Sequence, residues 1–382
     1  MSTASGSGSR WFRTNLWLHR WSSLIATPFF LVLCVTGAIL IFHEEIDAAL
    51  GYVPSASAAS SSRPMADSVA AVQAKYPDQR IAIVGRDPEE QPGVLYVFVT
   101  PKGDTGFERG KPVYVEMASA RILPGADPQK TPTGFLLELH AQWFLGPLGE
   151  LVGALIALLV LISLLSGLVV YAPYVRRIAF GVLRRGRGPR LMQLDLHNFI
   201  GTVVLGWLLV VTITGFCLGF STILLGLWQN TELKALQSQL DTGRPMVREH
   251  AVSVDRVFDA ASAALPGWRA NTIVFPGTDL STPQHYTVLL FGHKGAQEKM
   301  FRIALVEADT AKVADVRSLP PYLQAIQLSQ PLHFGDYGGL PLKILWVLCS
   351  TLSLFITGNG AWLWWNRRRR SRVVDAAVES VA

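Results

Sequence analysis

The sequence is short of charge. Only 16% of its 382 residues are Asp, Glu, Lys or Arg, against about 25% in ordinary soluble domains, and half are hydrophobic. That balance excludes a disordered chain and a wholly soluble one. Cysteine is scarce as well. Cys34, Cys217 and Cys349 all lie inside apolar runs, which excludes a disulfide framework and a cysteine-rich metal site. No Gly-x-Gly-x-x-Gly stands between a strand and a helix, and no glycine-rich lysine loop or His-Glu-x-x-His occurs. A nicotinamide, flavin or nucleotide domain and a zinc-protease centre are therefore not expected.

Four long uncharged runs dominate what is present: 19 residues from Leu24 to Phe42, 20 from Leu151 to Val170, 30 from Phe199 to Trp228 and 22 from Ile344 to Trp365. Each can cross a hydrocarbon core of about 30 Å as a helix. The first exceeds the roughly 7 to 15 apolar residues of a signal peptide and reads as an uncleaved anchor. Basic residues mark the cytoplasmic side. Arg10, Arg13 and Arg20 precede the first run, six arginines from Arg176 to Arg190 follow the second, and Arg367 to Arg370 with Arg372 follow the fourth. Against these 14 stand only Asp195, Asp375 and Glu379. The net charge of +6 thus records membrane orientation and implies no nucleic-acid partner.

The expected organisation is a four-span α-helical membrane protein with cytoplasmic termini. Residues 1–43 form a cytoplasmic tail and first span, 44–146 a first periplasmic α+β domain and 147–172 the second span. A basic loop (173–196), the third span (197–228), a second periplasmic domain (229–341), the fourth span (342–366) and a cytoplasmic tail (367–382) follow.

A duplication underlies this order. Leu18-His19-Arg20 with Thr36-Gly37 returns as Leu196-His197-Asn198 with Thr214-Gly215, offset by 178; Ser166-Gly167 with Arg176-Arg177 returns as Thr357-Gly358 with Arg367-Arg368, offset by 191. The external segments repeat too: Ala66 to Tyr76 resembles Val254 to Leu265, and strand-like Val94 to Thr100 and Val113 to Glu116 match His285 to Phe291 and Ile303 to Glu307. Each copy reads as span, small domain, span, which relates the copies by a pseudo-two-fold axis along the membrane normal.

Four of the eight histidines keep register with the duplication. His19 and His197 open spans on the cytoplasmic side, and His140 and His333 stand 11 residues before Leu151 and Ile344 on the outer side. Paired imidazoles at one depth suit six-coordinate haem b, so two pairs predict two haems. Tetrahedral zinc requires ligands converging on one point, which two membrane faces do not offer. Gly37 lies 18 residues beyond His19, roughly 27 Å along a helix and near the outer layer. Gly215 repeats it, and Gly167 and Gly358 fall near the inner ends of their helices. Such glycines give a porphyrin flat walls, or simply pack helices closely. Arg13 and Arg20 are candidates for haem propionates beside their topogenic role. His43 is an alternative ligand or an interfacial residue; His250, His285 and His293 read as ordinary surface or sheet residues.

Leu18-His19-Arg20-Trp21, Asp195-Leu196-His197, Leu332-His333-Phe334-Gly335-Asp336 and the Thr357-Gly358 to Trp364-Trp365 tail followed by arginines resemble the PepSY-associated transmembrane family, and most nearly its FoxB-type ferrisiderophore reductases. The resemblance implies two bound haems, four spans, PepSY-like periplasmic domains in the inner membrane of a Gram-negative cell, and reduction of ferric siderophores. Electrons then enter from a quinol, a flavin or a reductase protein near His19 and His197 and leave near His140 and His333. Trp143, Phe144, Phe334, Asp336 and Tyr337 are the candidates to line the substrate side, or are interfacial anchors. Other readings are a membrane-anchored module that inhibits a protease or senses a ligand, a general haem electron carrier, and a transporter; the last lacks ion-coupling carboxylates or lysines within its spans.

Overall fold

The computed structural model describes residues 5–56, 63–86, 91–176, 179–240, 243, 252–292 and 298–379, with side chains from 10 to 367 within them. His250, His293 and Arg177 lie outside the described residues, as do the side chains of Arg368 to Arg370 and Arg372. The chain divides into a helical unit of residues 1–42, 136–220 and 332–382, and a sheet unit of residues 43–135 and 221–331.

In chain order the elements are α1 (Ser5–Leu40), α2 (His43–Ala49), α3 (Met65–Lys75), β1 (Gln79–Arg86), β2 (Val94–Pro101), β3 (Lys111–Glu116), β4 (Arg121–Leu123), α4 (Pro132–Gln142), α5 (Pro147–Val175), α6 (Pro189–Val203) and α7 (Leu205–Leu218). After these come α8 (Ser221–Trp228), α9 (Lys234–Leu240), α10 (Val254–Ala264), β5 (Arg269–Val274), β6 (His285–Phe291), β7 (Phe301–Glu307), β8 (Val313–Ser318), α11 (Pro321–Phe334) and α12 (Gly339–Glu379).

The helical unit is that of a membrane protein. Arg10–Leu40, Pro147–Val175 and Gly339–Arg367 are each long and apolar enough to span. Leu155, Leu165, Leu168 and Leu348 are at least half exposed, a cost that lipid removes and water does not. Helix α1 packs on α5 and α12, α5 on α7, and α12 on α6. Val204, Leu208 and Ile356 are buried at the centre with Phe30, Leu164 and Ile200 against them.

The third span, expected over 197–228, is not one continuous helix. It breaks at Val204, where α6 and α7 meet at 64°, and α8 belongs to the sheet unit. Gly201 and Gly206 flank the break, and Thr202 Oγ1 bonds back to the Asn198 carbonyl at 2.7 Å. Small residues and such back-bonding both loosen the helical ladder. Within the segments expected to be external, residues 136–142 of α4 and 332–334 of α11 belong to the helical unit, and these carry His140 and His333.

The sheet unit joins what the sequence separated into two domains. Its antiparallel sheet runs β4-β3-β2-β1-β5-β6-β7-β8, one meander from each repeat, with β1 against β5 at Ile83↔Val274, Val84↔Ile273 and Gly85↔Thr272. Each meander alone leaves an inner edge of unpaired peptide groups, and the junction satisfies both. Helices α3 and α10 bury Val69, Val72, Val257, Phe258 and Ala261 with Ile81, Leu95, Ile273 and Leu290 in one core. The second copy also caps the first: Asp255 of α10 accepts from the Met65 and Ala66 amides at 2.8 and 3.0 Å, satisfying free donors at the start of α3.

His285 lies buried on β6, its Nδ1 2.7 Å from Thr282 Oγ1. Burial holds its pKa below the ordinary value, against the pull of Glu307 and Asp309. The unfolded chain therefore takes up a proton first, and stability is lost as pH falls below about 6.5. Thermal unfolding between pH 7 and 5 should show His285→Gln losing less stability than the unaltered chain; equal losses would contradict the assignment.

Candidate functional site

The four repeat-matched histidines assemble as two pairs, with the partners expected. His19 on α1 faces His197 on α6 with ring centres 6.4 Å apart and planes at 73°. His140 on α4 faces His333 on α11 at 6.3 Å and 65°. Two imidazoles bound to opposite sides of one metal place their centres about 6 Å apart, from metal–nitrogen bonds of about 2 Å and about 1 Å from nitrogen to ring centre. Both pairs have that spacing.

Hydrogen bonds fix which nitrogen is free. His19 Nδ1 donates to the Ser163 carbonyl at 2.8 Å, and His333 Nδ1 to the Val211 carbonyl at 3.0 Å. A carbonyl only accepts, so the proton sits on Nδ1 and Nε2 carries the lone pair a metal requires. His140 Nδ1 lies 2.8 Å from Thr36 Oγ1. For His197 the Ile356 carbonyl lies alongside but outside hydrogen-bonding geometry, and its Nδ1 has no partner.

Each ring rests on a glycine of another helix. A Cβ on Gly167 would stand 2.9 Å from Cε1 and from Nδ1 of His19; on Gly37 it would stand 3.1 Å from His140 Cε1, and on Gly215 3.0 Å from His333 Cε1. The fourth seat is Gly360, whose Cβ would be 3.3 Å from His197 Cε1, whereas Gly358 meets nothing within 4 Å. Gly37, Gly167, Gly215 and Gly360 thus seat the four imidazoles. The acceptors that the sequence did not reveal, Ser163 and Val211, each stand four residues before the glycine that seats the same ring, so one turn of helix supplies both seat and carbonyl.

Asp195, quoted only as part of a motif, anchors α6 two residues before His197. It is buried and accepts from the Arg184 amide at 2.9 Å, Arg184 Nε at 3.0 Å, Arg184 Nη2 at 2.7 Å and Tyr174 Oη at 2.5 Å. The Tyr174 hydroxyl also accepts from Arg184. Bidentate Arg–carboxylate contact fixes orientation as well as position, so Arg184 does more than mark a membrane face.

The remaining candidates are scattered about the pairs. Arg20 lies over the Trp21 ring at 5.6 Å with its Nε buried and without a hydrogen-bond partner; Arg13 is exposed on α1. Trp143 and Phe144 follow His140 with positive φ of 51° and 57°, a backbone region that bulky residues rarely adopt. The Trp143 ring meets Phe29 edge-on at 5.7 Å, and its buried Nε1 has no partner. Phe334 is 6.0 Å from His333 by ring centres, and Tyr337 meets Trp346 at 6.4 Å; Asp336 is half-buried in the same turn. His43 opens α2 in the sheet unit.

Among the described residues no three His, Cys, Asp or Glu side chains gather as a metal site.

The family model described as PepSY-associated TM region matches residues 16–367. A Pseudomonas aeruginosa protein described as Uncharacterized protein PA4219 is 26% identical over 262 residues, covering 64% of this chain; the chain spans 65% of that relative's length.

Proposed function

The chain belongs to the PepSY-associated TM region family, and from that premise we propose that it is a di-haem b-type reductase of the FoxB kind, reducing ferric siderophores in the periplasm. The observation that carries the proposal is the pair of facing histidine sets, 6.4 and 6.3 Å between ring centres. The residues fit haem on three counts. Nε2 is the available nitrogen, four glycines leave room for the rings that bear it, and the buried Arg20 Nε lacks the acceptor that a propionate would supply.

When bound, haem supplies one-electron transfer at a potential set by its axial ligands and their surroundings. His19 and His197 would hold one group and His140 and His333 the other. In this reading α1, α5, the bent α6–α7 pair and α12 are the four crossings of a bacterial inner membrane. The arginines of both termini and of the 176–190 connection keep those segments cytoplasmic, and residues 43–135 and 221–331 are periplasmic. A quinol, a flavin or a reductase protein supplies the electrons. Outward transfer gains up to about 2.3 kcal/mol per 100 mV if the full potential is crossed.

Trp143, Phe144, Phe334, Asp336 and Tyr337 would face the ferric chelate. One electron converts its Fe(III) to Fe(II), a softer ion that hard oxygen ligands hold less well, and iron is released. Stopped-flow mixing of the reduced protein with ferric hydroxamate and catecholate chelates tests this. Reoxidation with appearance of Fe(II) in a ferrous trap is the expected result. A protein that loads haem yet is reoxidised by no ferric chelate would have another acceptor.

A further inference from the structure

In the His140/His333 pair each Nδ1 lies against a buried threonine hydroxyl of the helix that also carries its glycine seat. Thr36 Oγ1 donates its one proton to the Val32 carbonyl at 2.8 Å, with the Leu33 carbonyl at 3.3 Å sharing it. The 2.8 Å contact with His140 must then be Nδ1–H donating to the hydroxyl oxygen. Thr214 repeats the arrangement 178 residues on. Its Oγ1 donates to the Val210 carbonyl at 2.7 Å and lies 3.1 Å from His333 Nδ1, whose proton it shares with the Val211 carbonyl at 3.0 Å; His140 has the hydroxyl alone. Both threonines are buried. The other pair relies on the Ser163 main chain for His19, with Ser163 Oγ at 3.2 Å, and His197 has no Nδ1 partner.

We propose that Thr36 and Thr214 are positioning residues that set the reduction potential of the metal between His140 and His333, holding it below the value bare imidazoles would give. An acceptor on Nδ1–H polarises the ring and makes Nε2 a stronger donor, which favours the oxidised and more positive metal. The effect is large enough to read because the hydroxyls are buried, where hydrogen bonds are electrostatically stronger and water does not replace a lost one. One electron enters or leaves the metal; the hydroxyl and Nδ1 protons stay in place. The inference rests on the di-haem reading above.

Spectroelectrochemical titration of the full-length, haem-loaded protein tests it on three chains: unaltered, Thr36→Val with Thr214→Val, and Thr36→Ser with Thr214→Ser. In the valine chain one of two redox waves should move to more positive potential and the other stay, with two haems per chain; the serine chain should keep both waves in place. His333→Ala, retaining only the His19/His197 wave, identifies which wave moved. Waves unmoved by valine, moved equally by serine, or moved at the His19/His197 pair would overturn the assignment, as would loss of haem from the valine chain. An unaltered chain that binds no haem overturns the di-haem reading and this with it, an outcome distinct from unmoved waves.

Discussion

On the di-haem reading the unaltered chain should bind two haems and His333→Ala one, and His19→Ala should lose the other. Each pair draws its ligands from two different helices, so removing one imidazole leaves a site with a single axial ligand and a gap on its opposite side. Loss of a ligand's supporting partner alone costs 10- to 100-fold in metal affinity, and loss of the ligand itself should exceed that. The second site should survive. Along α1, His19 and the Gly37 seat are 18 residues apart, roughly 27 Å, and the pairs share no ligand. Haem per chain, measured by extraction from folded protein, should fall from two to one in either variant. Loss of both haems from each single variant would mean that the sites are not independent.

The second large effect concerns glycine. In Gly167→Ala the new Cβ would lie 2.9 Å from two atoms of the His19 ring, closer than real contacts permit, so the imidazole must turn away. Turning breaks the 2.8 Å bond to the Ser163 carbonyl and moves Nε2 off the line to His197. Retention of that haem should weaken by about tenfold or more, the range for lost supporting contacts. Gly358→Ala should leave the His197 ring in its place, because a Cβ there meets no protein atom within 4 Å. Gly360→Leu should behave like Gly167→Ala, its side chain extending from a point 3.3 Å from His197 Cε1. Haem retention against a scavenger measures all three; equal retention by Gly167→Ala and Gly358→Ala would remove the glycine argument.

That contrast also shows where sequence reading stops. The shared offset of 178 put His19 with His197 and Thr36 with Thr214, because a duplicated span preserves both depth and face. It was less able to choose within Thr357-Gly358-Asn359-Gly360. A shift of two residues turns a helical position by about 200°, and apolar spacing alone does not say which glycine meets a ring. The contacting pair, Gly167 and Gly360, is offset by 193. Hydropathy likewise marked 199–228 as apolar but is blind to backbone direction, so the break at Val204 went unread. The strand runs of β2, β3, β6 and β7 were legible from β-branched and aromatic residues. Their fusion into one sheet was not, since β1 meets β5 through only three residue pairs contributed by segments almost 190 residues apart. Ser163 and Val211 were also beyond reach: they act through main-chain carbonyls, which every residue has.

One measurement bears most directly on the account: the electron paramagnetic resonance and reduced-minus-oxidised absorption spectra of purified, haem-replete, folded protein, with haem counted per chain. Two low-spin b-type haems per chain, each with two imidazole ligands, is the predicted result. Folded protein with no haem, or with high-spin haem lacking a second axial histidine, would contradict it.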